Sequence, residues 1–215
     1  ELRRDGGQAR AIACDVTDPG QVETLARGAT EWLTEAGLAP DVLVNNAGAS
    51  SSAPIAKLTL EEWNRLFAVN ATSTFLCTRA LLPGMMERGR GRIVNVASVA
   101  SLSGARYIAA YAAAKHAVLG FTRCAAAEGA ARGVTVNAVC PGYVDTPMTD
   151  RSIARIVEKT GRSRDDALAS ILAANPQRRL IEPGEVAHAV LALVAEEARG
   201  INGQAIVLDG GGLLA

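Results

Sequence analysis

The sequence predicts a doubly wound α/β fold, in which helices cover both faces of a parallel sheet. Short apolar runs alternate with longer amphipathic stretches along the whole chain, an order that favours βαβ units. Alanine, valine, leucine and glycine dominate the composition, as they do where helices pack closely on a parallel sheet. With 215 residues, the chain is long enough for one domain with a substantial core.

Five short apolar runs predict the strands, and they cover residues 9–14, 41–45, 92–97, 134–140 and 205–208. Pro141-Gly142 closes the fourth run with residues that favour a turn. The amphipathic stretches predict helices over residues 18–36, from Thr59 onward, over 108–131, in two segments within 149–174, and over 183–197.

Two of these helices have clear start signals. Asp18 is a good N-cap, and Pro19 suits the first helical position because its missing N–H would have no partner there. Glu61 and Glu62 favour a helix that begins at Thr59, because carboxylates are stabilised in the first turn of a helix.

Polar or turn-forming residues follow four of the predicted strands: Asp15-Val16, Asn45 to Gly48, Ala97-Ser98 and Pro141-Gly142. In open α/β sheets, ligands bind beyond the carboxyl ends of the parallel strands. Four separate segments therefore converge on one edge of the predicted sheet, and this convergence predicts a ligand site there.

The bulk composition excludes several classes of function. Acidic and basic residues balance at 22 each and aromatic residues are scarce, so we expect neither a nucleic-acid partner nor an anionic membrane surface. No apolar run approaches the ~18 residues of a membrane span, and the first residues do not form a signal peptide. The four cysteines are scattered without metal-ligand spacing, which predicts reduced core thiols in a cytoplasmic protein and no metal site.

The most informative pattern in the sequence joins Tyr111, Lys115 and Ser98. Positions i and i+4 share one helix face, so Lys115 can hold its ammonium near the Tyr111 phenol and favour the phenolate. A serine hydroxyl at the end of a strand could hydrogen-bond a reacting oxygen. Taken alone, the pair is equally compatible with a core tyrosine that has a lysine stem packed along it.

Together these motifs resemble the classical short-chain dehydrogenases/reductases over essentially the whole chain. The matching segments are Asp15-Val16, Asn-Asn-Ala-Gly at 45–48, Val69-Asn70, residues 95–98, Tyr111-x-x-x-Lys115 and Pro141-Gly142-x-Val144-x-Thr146. The resemblance implies a Rossmann-type sheet that forms a single NAD(P)-binding domain over residues 1–215. It also implies hydride transfer between NAD or NADP and a carbonyl or secondary alcohol.

The resemblance assigns roles to four catalytic residues. Tyr111 is expected to act as the acid or base, and Ser98 to orient the carbonyl oxygen. Lys115 is expected to lower the tyrosine pKa and to bind the nicotinamide ribose. Asn70 is expected to hold a water molecule that continues the proton relay, although it could also be a kink residue within its helix.

A second set of residues is implied to contact the coenzyme. Simpler interpretations remain open for some of them: Asp15 could cap the following helix, Gly48 could be a turn glycine, and Thr146 could be an N-cap. The implied set is Asp15, Val16, Asn46, Ala47, Gly48, Tyr111, Lys115, Pro141, Gly142, Val144 and Thr146.

The sequence also departs from the family pattern. The glycine-rich turn that follows the first strand in the family is absent, and with it a strand-helix-strand unit of roughly 40–50 residues. We therefore expect the natural protein to be longer. The residues that distinguish NAD from NADP would lie in that unit, so the coenzyme remains open.

Substrate specificity is expected to reside in a helical segment over residues 147–182. Hydroxybutyrate dehydrogenases place polar and basic groups around a carboxylate where this chain has Ser50, Ala100, Ile108 and Ser152. No cation replaces them, which favours a 3-oxoacyl or 3-hydroxyacyl thioester, or another apolar ketone. The family resemblance also implies a homotetramer.

Two alternatives from other functional classes remain: a non-catalytic nucleotide sensor, and an inactive truncated oligomer partner.

Overall fold

The computed structural model describes residues 6–214, the last of them by its backbone alone. Its sheet has four parallel strands in the spatial order β1-β2-β3-β4, which is also their order along the chain. The strands are β1 (Val42–Asn45), β2 (Gly91–Val96), β3 (Val134–Pro141) and β4 (Ala205–Leu208).

Seven α-helices connect and cover these strands in the part of the chain that the structure describes. They are α1 (Pro19–Glu35), α2 (Leu60–Phe67), α3 (Ser73–Arg88), α4 (Ala109–Ala130), α5 (Pro147–Thr160), α6 (Arg164–Leu172) and α7 (Pro183–Val194). The predicted start of α1 is confirmed, because the Asp18 carboxylate accepts hydrogen bonds from the Gly20 and Gln21 N–H groups. Thr59 caps α2 in the same way, with its hydroxyl accepting from the Glu62 N–H.

Successive side chains of the central strands point to opposite faces of the sheet, and each face carries its own helices. Ile93 of β2 packs into a core that α3 and α4 cover, with Met85 and Ala125 among its members. The next residue, Val94, packs on the other face against Leu193 of α7. The predicted doubly wound α/β fold is therefore confirmed.

The predicted strand over residues 9–14 is wrong. Residues 7–15 form no part of the sheet, whose outer strand on that side is β1. A strand needs a neighbour to complete its ladder of backbone hydrogen bonds, and no described strand lies beside this segment. The open edge is visible on β1 itself, where Val42 and Val44 are exposed.

The long helix predicted from Thr59 is interrupted. Between α2 and α3 the chain forms a π-helical segment over Ala68–Thr72, with Asn70 buried at its centre. The widened turn changes the face that each helix half presents, and such segments are frequent at functional sites. The predicted helix over 183–197 also ends earlier, at Val194, and a short 3-10 turn over Glu196–Gly200 follows it.

A buried polar chain ties the sheet to both covering helices just before the strands end. Asn45 donates to Asn95 (2.8 Å) and to Thr78 of α3 (3.1 Å), and Asn95 donates to Thr122 of α4 (2.9 Å). Because buried polar groups are costly unless they are paired, these bonds fix the register of β1, β2, α3 and α4.

Candidate active site

The candidate site lies where the carboxyl ends of β1, β2 and β3 meet. Val96 of β2 pairs with Val139 of β3, and the Ala97 N–H donates to the Val139 carbonyl at 2.8 Å. Ser98 therefore leaves β2 beside Cys140 and Pro141. The predicted convergence of the polar segments at 45–48, 97–98 and 141–142 is a property of this parallel register.

The geometry of Ser98 is fixed by a tight turn. Its backbone is extended, and its hydroxyl caps a 3-10 turn by accepting from the Ala100 N–H at 3.1 Å. In return, the Ser101 hydroxyl accepts from the Ser98 N–H at 3.2 Å. The Ser98 hydroxyl thus accepts one hydrogen bond within this turn and keeps its proton as a donor.

Tyr111 lies in the first turn of α4, with its phenol at Ser98. Burial raises the pKa of the Tyr111 phenol above its ordinary value, and a hydrogen bond with Ser98 opposes this shift. Nearby Tyr143 and Cys140 raise the pKa further. A buried phenol with a raised pKa is protonated at neutral pH.

Lys115 lies one turn further along α4 and is buried. Its ammonium donates to the Val96 carbonyl at 2.7 Å and lies 6.0 Å from the centroid of the Tyr111 ring. Burial lowers the pKa of Lys115 to about 8, because desolvation disfavours the charged form, while Cys140 opposes the shift. The helical i, i+4 spacing predicted from the sequence is confirmed.

Burial sets the net direction of the Tyr111 pKa shift. The net shift of the Tyr111 pKa is upward, whereas the family resemblance implied a decrease. The reason is burial: desolvation is the largest influence on each group, and it favours the neutral phenol as well as the neutral amine.

Asn70 and Gly48 complete the inner wall of the site. The Asn70 amide donates to the carbonyls of Ala49 and Leu66, each at 2.9 Å, and accepts from the Ala49 N–H at 3.3 Å. A Cβ atom on Gly48 would lie only 2.9 Å from the Asn70 oxygen and 3.6 Å from the Lys115 nitrogen. Gly48 is therefore required by close approach, and its backbone passes directly between Asn70 and Lys115.

The residues that follow β3, from Gly142 to Thr146, make defined backbone and side-chain contacts. Gly142 donates its N–H to the Leu208 carbonyl at 2.9 Å, and Val144 forms a parallel bridge with Ile181. Thr146 is the N-cap residue of α5, but its hydroxyl donates to the Val144 carbonyl (3.3 Å) instead of capping the helix. Thr146 therefore occupies the N-cap position, as the alternative interpretation expected, but its side chain does not cap the helix.

Asp15 and Val16 lie in the turn before α1. The Asp15 carboxylate accepts from the N–H (2.9 Å) and hydroxyl (2.7 Å) of Thr17, and the Asp15 N–H donates to Gln21. Asp18 caps the helix, so the capping alternative for Asp15 is wrong. Asn46 and Ala47 are exposed in the loop that follows β1.

Sequence reasoning missed Cys140 as a neighbour of the catalytic group. This buried thiol packs with Ala97 and Val118, and burial raises its pKa to about 11, against the opposing influence of the Ser98 N–H and Lys115. One sequence signal could have identified Cys140 as a site residue: it ends a predicted strand, one residue before Pro141-Gly142. Within residues 6–214, no group of three or more His, Cys, Asp or Glu side chains is placed to hold a metal ion.

Comparisons with known proteins agree with this geometry. A family model described as enoyl-(acyl carrier protein) reductase matches residues 1–212. The chain is 38% identical over 206 residues to the 3-oxoacyl-acyl-carrier-protein reductase FabG of Vibrio cholerae, and the match covers 96% of this chain and 78% of that protein. It is 37% identical over 198 residues to D-beta-hydroxybutyrate dehydrogenase of Cupriavidus necator, covering 92% and 75%.

Among solved structures, an actinorhodin polyketide ketoreductase variant with NADPH superposes with a TM-score of 0.91 at 38% identity. That match covers 98% of this chain and 80% of the ketoreductase chain. The chain belongs to the short-chain dehydrogenase/reductase family. It is an oxidoreductase that acts on a CH–OH group or the corresponding carbonyl with a nicotinamide coenzyme, NAD or NADP. Within the described residues, no helix has the length and apolar character needed to cross a bilayer.

Proposed function

We propose that this protein is a ketoreductase that reduces the 3-oxo group of an acyl thioester, or of another apolar ketone, with NADH or NADPH. The observation that carries the proposal is the contact between Ser98 and the buried Tyr111 phenol, with the buried Lys115 ammonium one helical turn away. The phenol and the serine hydroxyl are two O–H donors that can meet the oxygen of one carbonyl group.

In the proposed reaction, each of three side chains has one role. A bound nicotinamide coenzyme would supply a hydride to the carbonyl carbon. The role of Tyr111 is to give its proton to the carbonyl oxygen, and the phenol then becomes a phenolate. Ser98 orients the carbonyl by donating its free proton to the same oxygen. Lys115 offsets the negative charge that appears on Tyr111, because its ammonium lies on the same face of α4.

The residues around Lys115 fit a bound coenzyme. The Lys115 ammonium is buried and has three N–H donors, of which one is used by the Val96 carbonyl. Hydroxyl groups of a ribose are suitable partners for the remaining donors. Gly48 allows backbone to approach this position closely, which a side chain would prevent. Asn70 is then placed to hold the water that returns a proton to Lys115.

The other coenzyme contacts are proposed from the family resemblance. Asp15 and Val16 would bracket the adenine, and Val144 and Thr146 would meet the carboxamide. The remaining members of the proposed set, besides Tyr111, Lys115 and Gly48, are Asn46, Ala47, Pro141 and Gly142.

The residues expected at the substrate end favour an uncharged group, because none of Ser50, Ala100, Ile108 and Ser152 is a cation. Arg155 of α5 reaches the loop after β1, with 3.4 Å to the Ser52 hydroxyl. Glu62 is paired with Arg65 and does not neutralise Arg155. The preference for a thioester over a hydroxy acid therefore rests on the absence of a cation at those four positions.

We propose residues 147–182 as the substrate-binding segment. Most of the apolar residues there pack on each other: Ile153, Ala167 and Ile171 form a buried cluster between α5 and α6. Helices α5 and α6 therefore pack together as one unit. It joins the sheet through the Val144–Ile181 bridge and touches the loop after β1 through Arg155.

We also propose a cytoplasmic homotetramer. All four cysteines are free, in keeping with a reducing compartment. The outer surfaces of α3 and α4 border an open cavity of about 790 Å³, lined by Phe75, Leu82, Met86 and Phe121. A second copy of α3 and α4 would cover these apolar side chains, and the mass measured by light scattering would test it.

The substrate proposal is tested by comparing acetoacetyl-CoA with free acetoacetate, each with NADH and with NADPH. We expect a kcat/KM for the thioester that is at least about 100-fold higher. Tyr111→Phe is the control that links turnover to this site. Equal kcat/KM values for the two substrates would overturn the thioester assignment, and absence of turnover with every ketone would overturn the enzyme proposal.

A further inference from the structure

Tyr107 has an unusual backbone conformation. Its φ angle is +72°, in the left-handed region that disfavours side chains with a Cβ atom. Apart from Tyr107 and Arg178, all described residues with a left-handed backbone are glycines. A bulky aromatic residue in this region is a true outlier, and such strain concentrates at ligand-binding and catalytic sites.

The surrounding backbone holds this conformation in place. The Tyr107 carbonyl accepts a hydrogen bond from the Ala53 N–H at 2.8 Å, which links the loop after β2 to the loop after β1. Ile108 follows as the N-cap of α4, and Tyr111 lies in the first turn of that helix. The strained residue is thus fixed between two loops at the carboxyl edge, one helical turn from the phenol.

The side chain of Tyr107 is not used to stabilise the core. It is 57% exposed, and it belongs to a group of exposed large apolar side chains on the loops that leave this edge. Ile55 follows β1, Leu102 and Tyr107 follow β2, and Tyr143 follows β3. Four exposed apolar residues therefore lie on the three loops that leave this edge, and one of them, Tyr143, is close enough to Tyr111 to influence its pKa.

We propose that Tyr107 is a specificity-determining residue whose ring contacts the apolar part of the ketone substrate at the mouth of the site. Glycine would relieve the backbone strain, and the chain uses glycine at nearly all of its other left-handed positions. A tyrosine that is strained, exposed and only four residues before Tyr111 provides an aromatic surface for an acyl chain or ring. The inference rests on the ketoreductase function proposed above and identifies one contact of its substrate.

The test is Tyr107→Gly in the full-length protein, with reduction of acetoacetyl-CoA by the preferred coenzyme as the assay. We expect KM for the ketone to rise by about tenfold, since one aromatic contact is lost, with KM for the coenzyme unchanged. The melting temperature should be equal to that of the wild type or higher, because the left-handed conformation becomes free of strain. A merely structural residue would show the reverse: a lower melting temperature with unchanged KM.

Two further variants separate the causes. Tyr107→Ala removes the ring but keeps the left-handed backbone strain, so it should raise KM as Tyr107→Gly does, without the gain in melting temperature. Tyr107→Phe keeps the ring and should keep a KM within about twofold of the wild type.

Three outcomes would overturn the inference. They are an unchanged KM in Tyr107→Gly while the wild type turns over, a KM change in Tyr107→Gly that Tyr107→Ala does not share, and a loss of oligomeric state that assigns the ring to a subunit contact. Absence of wild-type turnover would instead contradict the proposed function.

Discussion

Lys115 carries the sharpest stability prediction, because its buried charge should destabilise the fold. Burial lowers its pKa from an ordinary 10.5 to about 8. At about 1.4 kcal/mol per pH unit, this lowering corresponds to a penalty of about 3 kcal/mol on the folded state near pH 7. Replacing the lysine by methionine, which has a similar volume and no charge, removes the whole penalty.

The loss of one hydrogen bond opposes this gain in stability, because the Val96 carbonyl no longer accepts from the ammonium at 2.7 Å. An acceptor left without its partner costs about 1–3 kcal/mol. We therefore expect Lys115→Met to be as stable as the wild type at pH 7, or more stable by up to about 2 kcal/mol. The same variant should lose turnover, since the charge that offsets the phenolate is gone.

The pH dependence isolates the charge. Between pH 8 and 10.5 the unfolded lysine binds more protons than the folded one, so the wild type gains stability as pH rises through that window. The difference between Lys115→Met and the wild type should therefore fall by about 2 kcal/mol between pH 7 and pH 9.5. Urea unfolding at the two pH values, without coenzyme, measures this change directly.

Lys57→Met is the matched control, because Lys57 is exposed and the same substitution there should change stability by less than about 0.5 kcal/mol at either pH. A Lys115→Met difference that stays constant between pH 7 and pH 9.5 would refute the argument that burial depresses the Lys115 pKa. So would a wild type whose advantage over the variant grows with falling pH.

Three other substitutions or treatments follow from contacts in the site. Gly48→Ala should lower kcat/KM by about tenfold or more, because its Cβ would lie 2.9 Å from the Asn70 oxygen; steady-state kinetics with thermal melting would separate this from misfolding. Thr122→Val should cost about 1–3 kcal/mol in urea unfolding by removing the Asn95 partner, whereas Thr122→Ser should restore most of it. A thiol reagent should spare buried Cys140 in the native protein and modify it after unfolding in urea, with mass spectrometry of digests as the readout; labelling of native Cys140 to the unfolded extent would contradict the packing of β3.

Local sequence signals predicted the elements that depend on local physics. The Asp18-Pro19 start of α1 and the Thr59 cap of α2 follow from side chains next to the helix, and both are confirmed. The i, i+4 relation of Tyr111 and Lys115 is likewise local. The convergence of strand ends followed from one further rule, that parallel strands end at a common edge.

The errors arose where a property depends on distant residues. Residues 9–14 have the composition of a strand, but a strand exists only with a neighbour. The direction of the Tyr111 pKa shift depends on how deeply the phenol is buried, which spacing alone does not reveal. The kink alternative for Asn70 is correct, but its π-helical form and the bond of the Asn70 amide to Ala49, twenty-one residues away, do not follow from local sequence.

The central claim is that the Tyr111 phenol donates a proton to a carbonyl oxygen during reduction. The most direct measurement is the single-turnover rate of reduced-coenzyme oxidation by acetoacetyl-CoA in the wild type and in Tyr111→Phe, with coenzyme Kd measured for both. We predict a rate at least about 100-fold lower in the variant, with Kd within about threefold. A Tyr111→Phe variant that keeps its rate within a few-fold of the wild type would contradict the account.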